Sequence, residues 1–285
     1  MSELAPPLEL PLAPRRQARP LPWPALLATT FLALLVAAAL FPQLFAHGDP
    51  LAIQPREAFS APGWAHWFGT DQSGRDIYAR VIHGARQSLT IGLAATALAM
   101  SIAIGLGLAA GLAGGAVDRG IGWLLEVLFA FPSLILALLF VAIFGSGIGP
   151  LIVATGIGSA PGYARMVRGQ VLAVRGAGYI EAARALGHGP WRTIVRQILP
   201  NAMRPLIVTL TMGVGHAIVW ASALSFLGLG ARPPAPEWGT MLSMGRDFIV
   251  NAWWLTFFPG LFIVLTTLST TVAGRYLQRR LEGRR

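Results

Sequence analysis

The side chains able to do covalent chemistry in this chain are few and badly grouped for it. Ser73 and His83 are a hydroxyl and a base, but a triad needs a third, orienting group, and the spacing supplies none. Glu57, Asp71 and Asp76 are carboxylates without the alternating spacing of a calcium loop. Cysteine is absent, which removes thiolate nucleophiles, thiolate metal sites and disulfides together. All 22 basic residues are arginine, so no Gly-x-x-x-x-Gly-Lys-Ser/Thr phosphate loop exists and ATP is not bound by that route. No catalytic residue, no metal and no cofactor of its own is expected for this chain.

The elements that must carry whatever function remains are apolar. Of 285 residues 54% are hydrophobic and only 12% charged, with a net charge of +10. Soluble domains run near 25% charged, so too little charge is present to clothe a water-soluble particle, and lipid is the expected solvent. Uncharged gaps run from Leu21 to Ala46, Gln87 to Val117, Pro205 to Ala231 and Phe248 to Gly274, and between Arg119 and Arg165 the one charge is Glu126. A helix needs about 20 apolar residues to cross the hydrocarbon core. The gaps predict an all-α polytopic membrane protein with six transmembrane helices, near 22–43, 89–113, 122–144, 150–168, 205–229 and 253–275. Gly145 to Pro150 reads as the turn between the third and fourth. The fourth is interrupted by Gly156, Gly158, Pro161 and Gly162, so it belongs inside the bundle, where broken backbone can be satisfied.

Arginine counts orient the chain. With the amino terminus inside, the cytoplasmic side holds 16 arginines, including Arg15, Arg16, Arg19, Arg284 and Arg285, and the outside six. The basic charge is thereby a membrane-orienting, lipid-facing feature; no soluble domain is present to hold nucleic acid. The expected organisation is a cytoplasmic tail at 1–20, a first transmembrane helix at 21–45, an extracytoplasmic segment at 46–84, a five-helix transmembrane domain at 85–275 and a cytoplasmic tail at 276–285. In the extracytoplasmic segment Thr70 or Asp71 can cap a helix, Gly74 can turn the chain, and Ile77, Tyr78, Val81 and Ile82 can lie on the bilayer as a short apolar face.

The longest inside segment, Arg165 to Arg204, is organised. Tyr179 to Leu186 is rich in helix formers, and Gly187 and then Gly189-Pro190 interrupt it. Trp191, Ile194, Val195 and Ile198 fall on one face of a second short helix that Pro200 stops. A helix, turn and helix at the membrane surface leaves Ala182, Ala183 and Gly187 as a small-residue surface for close approach by a partner, with Glu181 as its polar anchor. An amphipathic interfacial loop is the alternative.

Within the spans, Glu126 falls in the first two turns of the third, at the interface, and His216 lies deep in the fifth, where it can line a polar pathway or donate to a neighbouring carbonyl. No charged pair for proton coupling and no repeated filter for a channel is present, so an ion-coupled carrier is disfavoured and the energy source is expected on a separate subunit. Gly92, Gly105, Gly107, Gly111, Gly114 and Gly115 give the second span small faces for close helix contact, within the chain or with a partner.

Glu181-Ala182-Ala183, three residues, Gly187 and then Leu199-Pro200 resemble the "EAA loop" of ABC importer permeases. The isoleucine of that pattern would fall at Gln197, whereas here it is Ile198. Gly69 to Asp76, Gly84 to Leu89, Ser225 to Gly230, and Pro234, Pro236 and Trp238-Gly239 narrow the resemblance to the second, "C"-type, permease of dipeptide, oligopeptide and nickel importers, over all but the first twenty or so residues. The resemblance implies a type I importer permease fold whose loop at about 175–201 couples to an ATPase through Glu181, Ala182, Ala183, Gly187, Leu199 and Pro200. It implies as partners a second homologous permease, two ABC ATPase subunits using ATP and magnesium, and an extracytoplasmic solute-binding protein, in a bacterial inner membrane. A secondary transporter would move solute as a lone chain, and a membrane scaffold would move none.

Overall fold

The computed structural model describes residues 23–282; Arg15, Arg16, Arg19, Arg284 and Arg285 of the expected tails lie outside them. All regular structure among the described residues is helical, apart from one bridge between Thr70 and Asp76. The order is α1 (Trp23–Leu40), α2 (Pro42–Phe45), α3 (Ile77–Ala113), α4 (Gly115–Ala130), α5 (Ser133–Phe144), α6 (Ile148–Arg175), α7 (Gly178–Ala185), α8 (Pro190–Thr193), a π turn (Ile194–Ile198), α9 (Leu199–Phe226), α10 (Trp238–Gly245) and α11 (Trp254–Glu282).

The charge gaps locate the apolar helices but not their ends. Four helices are long and apolar enough to cross a bilayer: Trp23–Leu40, Ile77–Ala113, Pro190–Phe226 and Trp254–Leu281. The expected third span is not one rod, because α4 and α5 meet at an 88° bend where Pro132, which has no amide proton to donate, follows an extended Phe131. Counted as one broken span, that pair makes five. The expected fourth span is α6, continuous through Gly156, Gly158 and Pro161 and, at 28 residues, about 42 Å long. Its most apolar stretch is less apolar than that of any of the four helices above, and it makes the most extensive helix contact among the described residues, against α3.

That contact is built from missing side chains. A Cβ on Gly107 of α3 would stand 2.6 Å from Val167 of α6, and one on Gly111 2.6 Å from Val171. In return a Cβ on Gly156 of α6 would stand 2.8 Å from Leu98 and 3.1 Å from the Ala95 carbonyl. Real Cβ atoms do not approach so closely, so the two backbones sit at a separation that only glycine permits, as expected where lipid gives helices no hydrophobic reason to associate. Gly105, on the same helix, faces open space. The glycines of the second span thus divide: Gly107 and Gly111 pack inside the chain, Gly92 packs against Ile218 of α9, and Gly105 packs against nothing.

The apolar face of the outer segment turns inward at Ile77 and Val81. Asp76, not Thr70 or Asp71, caps α3, its carboxylate accepting from the Ala79 amide at 2.8 Å. Ile77 and Val81 are buried in a core with Trp238 and Trp254, so α3 begins about three turns earlier than its apolar run. Arg80, 1% exposed, is tolerated there because its guanidinium donates to the Pro234 carbonyl at 3.1 Å. Trp238 locks the same junction, its indole donating to the Val81 carbonyl at 2.9 Å and its amide to Ser88. Gly74 makes the turn, at φ +75°. His66 ties the loop down, with Nδ1 2.8 Å from Asp76 and Nε2 3.0 Å from Glu57.

Two outcomes are expected. Gly107→Ala forces α3 and α6 apart and destabilises the purified chain by about 1–3 kcal/mol, whereas Gly105→Ala in the same helix shifts the melting temperature hardly at all. The Asp76 hydrogen bond raises the His66 pKa above 6.5, with Glu57 acting in the same direction. A group raised in the folded state stabilises it fully below its unfolded value and ceases to do so as pH climbs through the raised one. Proteolysis of the 46–76 loop should therefore accelerate from about pH 6.5 upward, and His66→Gln should flatten that dependence.

Candidate functional site

The expected coupling element follows α6 and is held by its own chain. α6 ends with Arg175, whose guanidinium donates to the Gly111 and Leu112 carbonyls at 3.0 and 2.9 Å, a cation placed at the carbonyl-rich end of α3. Just beyond, α7 packs back under the bundle through Ile180 and Ala183, which are 0% and 5% exposed. Ile180 joins Val171, Ile198, Ala202 and Leu206 in one cluster. The i, i+3 spacing puts these two side chains on one face, and everything else on α7 is left outside.

The expected site residues therefore separate. Glu181 and Ala182 are exposed, on the free face. Ala183 is not, which corrects its place in the small-residue surface: it faces the bundle. Gly187 is exposed, a Cβ there would meet nothing within 4 Å, and its φ is +78°. Its amide donates to the Arg184 carbonyl and the His188 amide to the Ala183 carbonyl, the paired bonds of a Schellman stop. The glycine is required by the backbone that ends α7 before it is required by any partner. Leu199 is half-buried and Pro200 exposed.

Pro200 does not stop the helix. The chain runs from Pro190 to Phe226 as one 37-residue helix because the backbone widens into a π turn just ahead of the proline, the Leu199 amide reaching the Ile194 carbonyl. A wider turn relieves the clash of the proline ring with the carbonyl four residues back, and the Asn201 side-chain amide donates to the Gln197 carbonyl at 2.6 Å. The π turn also breaks the 3.6-residue period on which Trp191 was grouped with Ile194 and Ile198. Ile198 is buried, but Trp191 is 77% exposed, and Leu186 at the end of α7 is 79% exposed. Sequence periodicity missed both. Leu186 directly before the Gly187 stop was the available signal, since a side chain at a helix terminus has no second turn to pack against.

His216 and Glu126 stand apart from this element. His216 is exposed on α9, and its Nδ1 donates to the Met212 carbonyl at 3.0 Å. Glu126 lies one turn before the end of α4, not in its first two turns, because the helix starts at Gly115. It shares a cleft with Asp118, Arg119, Arg165 and Arg168, where Asp118 pairs bidentately with Arg168 at 2.5 and 2.7 Å. Among the described residues no group of three or more His, Asp or Glu side chains is placed to hold a metal ion.

Residues 103–283 match the family described as binding-protein-dependent transport system inner membrane component. The chain is 41% identical over 259 residues to the glutathione transport system permease protein GsiD of Pectobacterium atrosepticum, covering 90% of this chain and 86% of that protein. It is 39% identical over 258 residues to the dipeptide transport system permease protein DppC of Alkalihalophilus pseudofirmus, covering 90% and 85%. Among solved structures, an inward-facing form of the MetNI methionine ABC transporter superposes with a TM-score of 0.59 at 20% identity over 70% of this chain and 95% of that one.

The two adjacent alanines of α7 should behave oppositely. Ala183→Trp must enter a packed face and is expected to cost about 1–3 kcal/mol, seen as a several-fold fall in membrane accumulation. Ala182→Trp should accumulate normally and melt within about a degree of the parent, as exposed substitutions do.

Proposed function

The chain belongs to the family of binding-protein-dependent transport system inner membrane components and is a multi-pass ABC transporter permease subunit, not an enzyme; from that premise we propose how it works and with what. It forms, with a second homologous permease, the pathway by which a dipeptide, oligopeptide or glutathione-like solute enters the cell. An extracytoplasmic binding protein delivers the solute. Two ATPase subunits hydrolyse ATP with magnesium and dock on α7 and the start of α8, with both termini of this chain on their side of the membrane. The solute class comes from the relatives' names, and the energy source from the absence of any nucleotide loop.

The observation that carries the docking reading is the exposure of Leu186 and Trp191 on an element whose other face is anchored by Ile180. Large apolar side chains left in water beside a helix stop are the composition of an interface centre. Glu181 on the same face supplies a charged contact, and Ala182 the low surface over which a partner can close. Ile180 seats α7 in a core shared with α6 and α9, which supports a push on Leu186 being passed to those helices, and alternating access driven by ATPase closure is the mechanism proposed. The family and its relatives, rather than this face, favour the permease over an ion-coupled carrier or a scaffold.

The test uses the assembled complex. Purification through a tag on this chain should recover both ATPases and the second permease, and the reconstituted complex should take up alanyl-alanine or glutathione only with ATP and binding protein. Ala182→Trp or Leu186→Glu should reduce ATPase recovered per permease at least about tenfold, the scale of a hot-spot loss, while membrane level holds. A thiol at Trp64→Cys should label from outside intact cells and one at Arg279→Cys should not. Uptake by the lone chain, or full ATPase recovery with both α7 variants, would remove this reading.

A further inference from the structure

The bend between α4 and α5 opens a cavity of about 420 Å³ against α6 and α9, within the range of small-molecule sites, about 300–1,000 Å³. Its walls include the rings of Phe129, Phe131 and Trp220 and, from α6, Thr155, Ser159 and Gly162. Thr155 is 4% exposed, yet its hydroxyl has no hydrogen-bond partner among the described residues. Ser159 occupies the Thr155 carbonyl at 2.8 Å. A buried hydroxyl without a partner is costly, and in a cavity of this size it is a group waiting for a ligand. No carboxylate lines the cavity.

The cavity ends at a cation. The Arg165 guanidinium lies over the Phe129 ring, 4.4 Å from its centre. Phe129 lines the cavity, whereas Arg165 lines the neighbouring charged cleft of about 420 Å³, so the ring and guanidinium form the wall between the two. In that cleft Asp118 is already engaged by Arg168. Among the described residues no carboxylate lies within salt-bridge distance of Arg165, and its contact is the ring. Thr155, Ser159, Gly162 and Arg165 follow one another at spacings of four, three and three, which is one face of α6.

We infer that this face of α6 carries the solute along the chain, and that Arg165 resting on Phe129 is an inner gate opened by the solute's carboxylate. The inference rests on the permease reading. A guanidinium matches a carboxylate with two parallel hydrogen bonds, an interaction stronger than an exposed cation–π contact. A solute whose uncharged, amide-rich body sits against Thr155, Ser159 and the rings, with its carboxylate toward α4, would draw Arg165 off the ring. Phe129, freed of the guanidinium, can then swing, and the cavity joins the cleft. The chemistry selects a peptide-like solute with a free carboxylate. An acyl chain would satisfy neither Thr155 nor Arg165.

The test exploits the absence of cysteine from the chain. Gly162→Cys places a thiol one turn from Arg165 at a site where its Cβ meets Phe129 at an ordinary 3.8 Å. Ser159→Cys places one deeper in the cavity. In the assembled complex in nanodiscs, each thiol is treated with anionic sulfonatoethyl and cationic trimethylammonioethyl methanethiosulfonate, and the ratio of rates is taken. A ratio is used because a guanidinium also promotes the thiolate, which speeds both reagents alike. At Gly162→Cys the anionic reagent should be favoured roughly tenfold, as one nearby charge at partial exposure produces. The bias should be smaller at Ser159→Cys, fall to about one with Arg165→Gln, and persist with Arg165→Lys. Phe129→Leu should raise both rates at Ser159→Cys several-fold while keeping their ratio. Alanyl-alanine uptake should fall with Arg165→Gln while assembly is retained. A ratio near one in the complex carrying Arg165, or thiols inert to both reagents, would overturn the gate even if Arg165→Gln failed to assemble. The thiol measurement needs no transport, so a complex that shows the bias but takes up no peptide counts against the permease reading's solute and not against the gate.

Discussion

The backbone-to-backbone approach of α3 and α6 is the constraint on which the rest of the chain depends. In lipid, apolar side chains gain nothing by leaving their surroundings, so two helices stay together only through contacts better than those lipid offers. Gly107 and Gly111 against Val167 and Val171, with Gly156 answering from α6 against Ala95 and Leu98, provide them along most of the shared length. Because α6 is fixed on this side, its opposite face is free of α3, and that is the face left to line the cavity at the bend of α4 and α5. The packing therefore divides α6 into a structural and an open side before any solute is considered.

The outer rim is a second lock, made of polar groups where the first is made of none. Glu237, 1% exposed, accepts from the Gly239 and Thr240 amides at 2.8 Å and so starts α10 at the point where Trp238 enters the core. A Cβ on Gly84 would stand 1.9 Å from the Pro236 carbonyl, so the loop before α10 lies directly on α3. Pro234 to Gly239 is fixed on α3 through Arg80, Val81 and Ser88, and Gly69 to Asp76 on the 54–60 stretch and on Trp254. Their residue types invite thoughts of metal or catalysis. Their bonds go to backbone amides and carbonyls and to neighbouring side chains, as in Asp71 with Arg75 and Asp76 with His66.

What could be read from the sequence was what depends on transfer to lipid, and what could not was what depends on a neighbour. The apolar cores of α1, α3, α9 and α11 follow from charge gaps. The true start of α3 does not, because a charged Arg80 inside a helix is acceptable only when Pro234 is there to receive it. The bend at Pro132 was hidden in an unbroken apolar run, since hydropathy is blind to direction. Pro200 looked like a stop and is not, because the preceding turn widened to let it pass. In α7, the exposure of Glu181 and Ala182 agrees with the free face expected of a short helix packed under the bundle. Ala183 was not distinguishable from Ala182 until Ile180 showed which way α7 rolls.

The same roll determines how force could travel. Ile180 of α7 shares a core with Val171 of α6 and with Ala202 and Leu206 of α9, and Arg175 ties α6 to the last carbonyls of α3. A partner docked on Leu186 and Trp191, as proposed, would bear on an element whose buried side reaches the core shared by α6 and α9. α4 and α5 are different. They touch α6 without glycine-mediated approach, and among their described side chains Leu125 and Ala137 are the buried ones. The cavity between that bend and α6 is therefore bounded on one side by glycine-mediated packing and on the other by α4 and α5, and in the cycle proposed above a shift of the bend against α6 is what would change the face carrying Thr155 and Arg165.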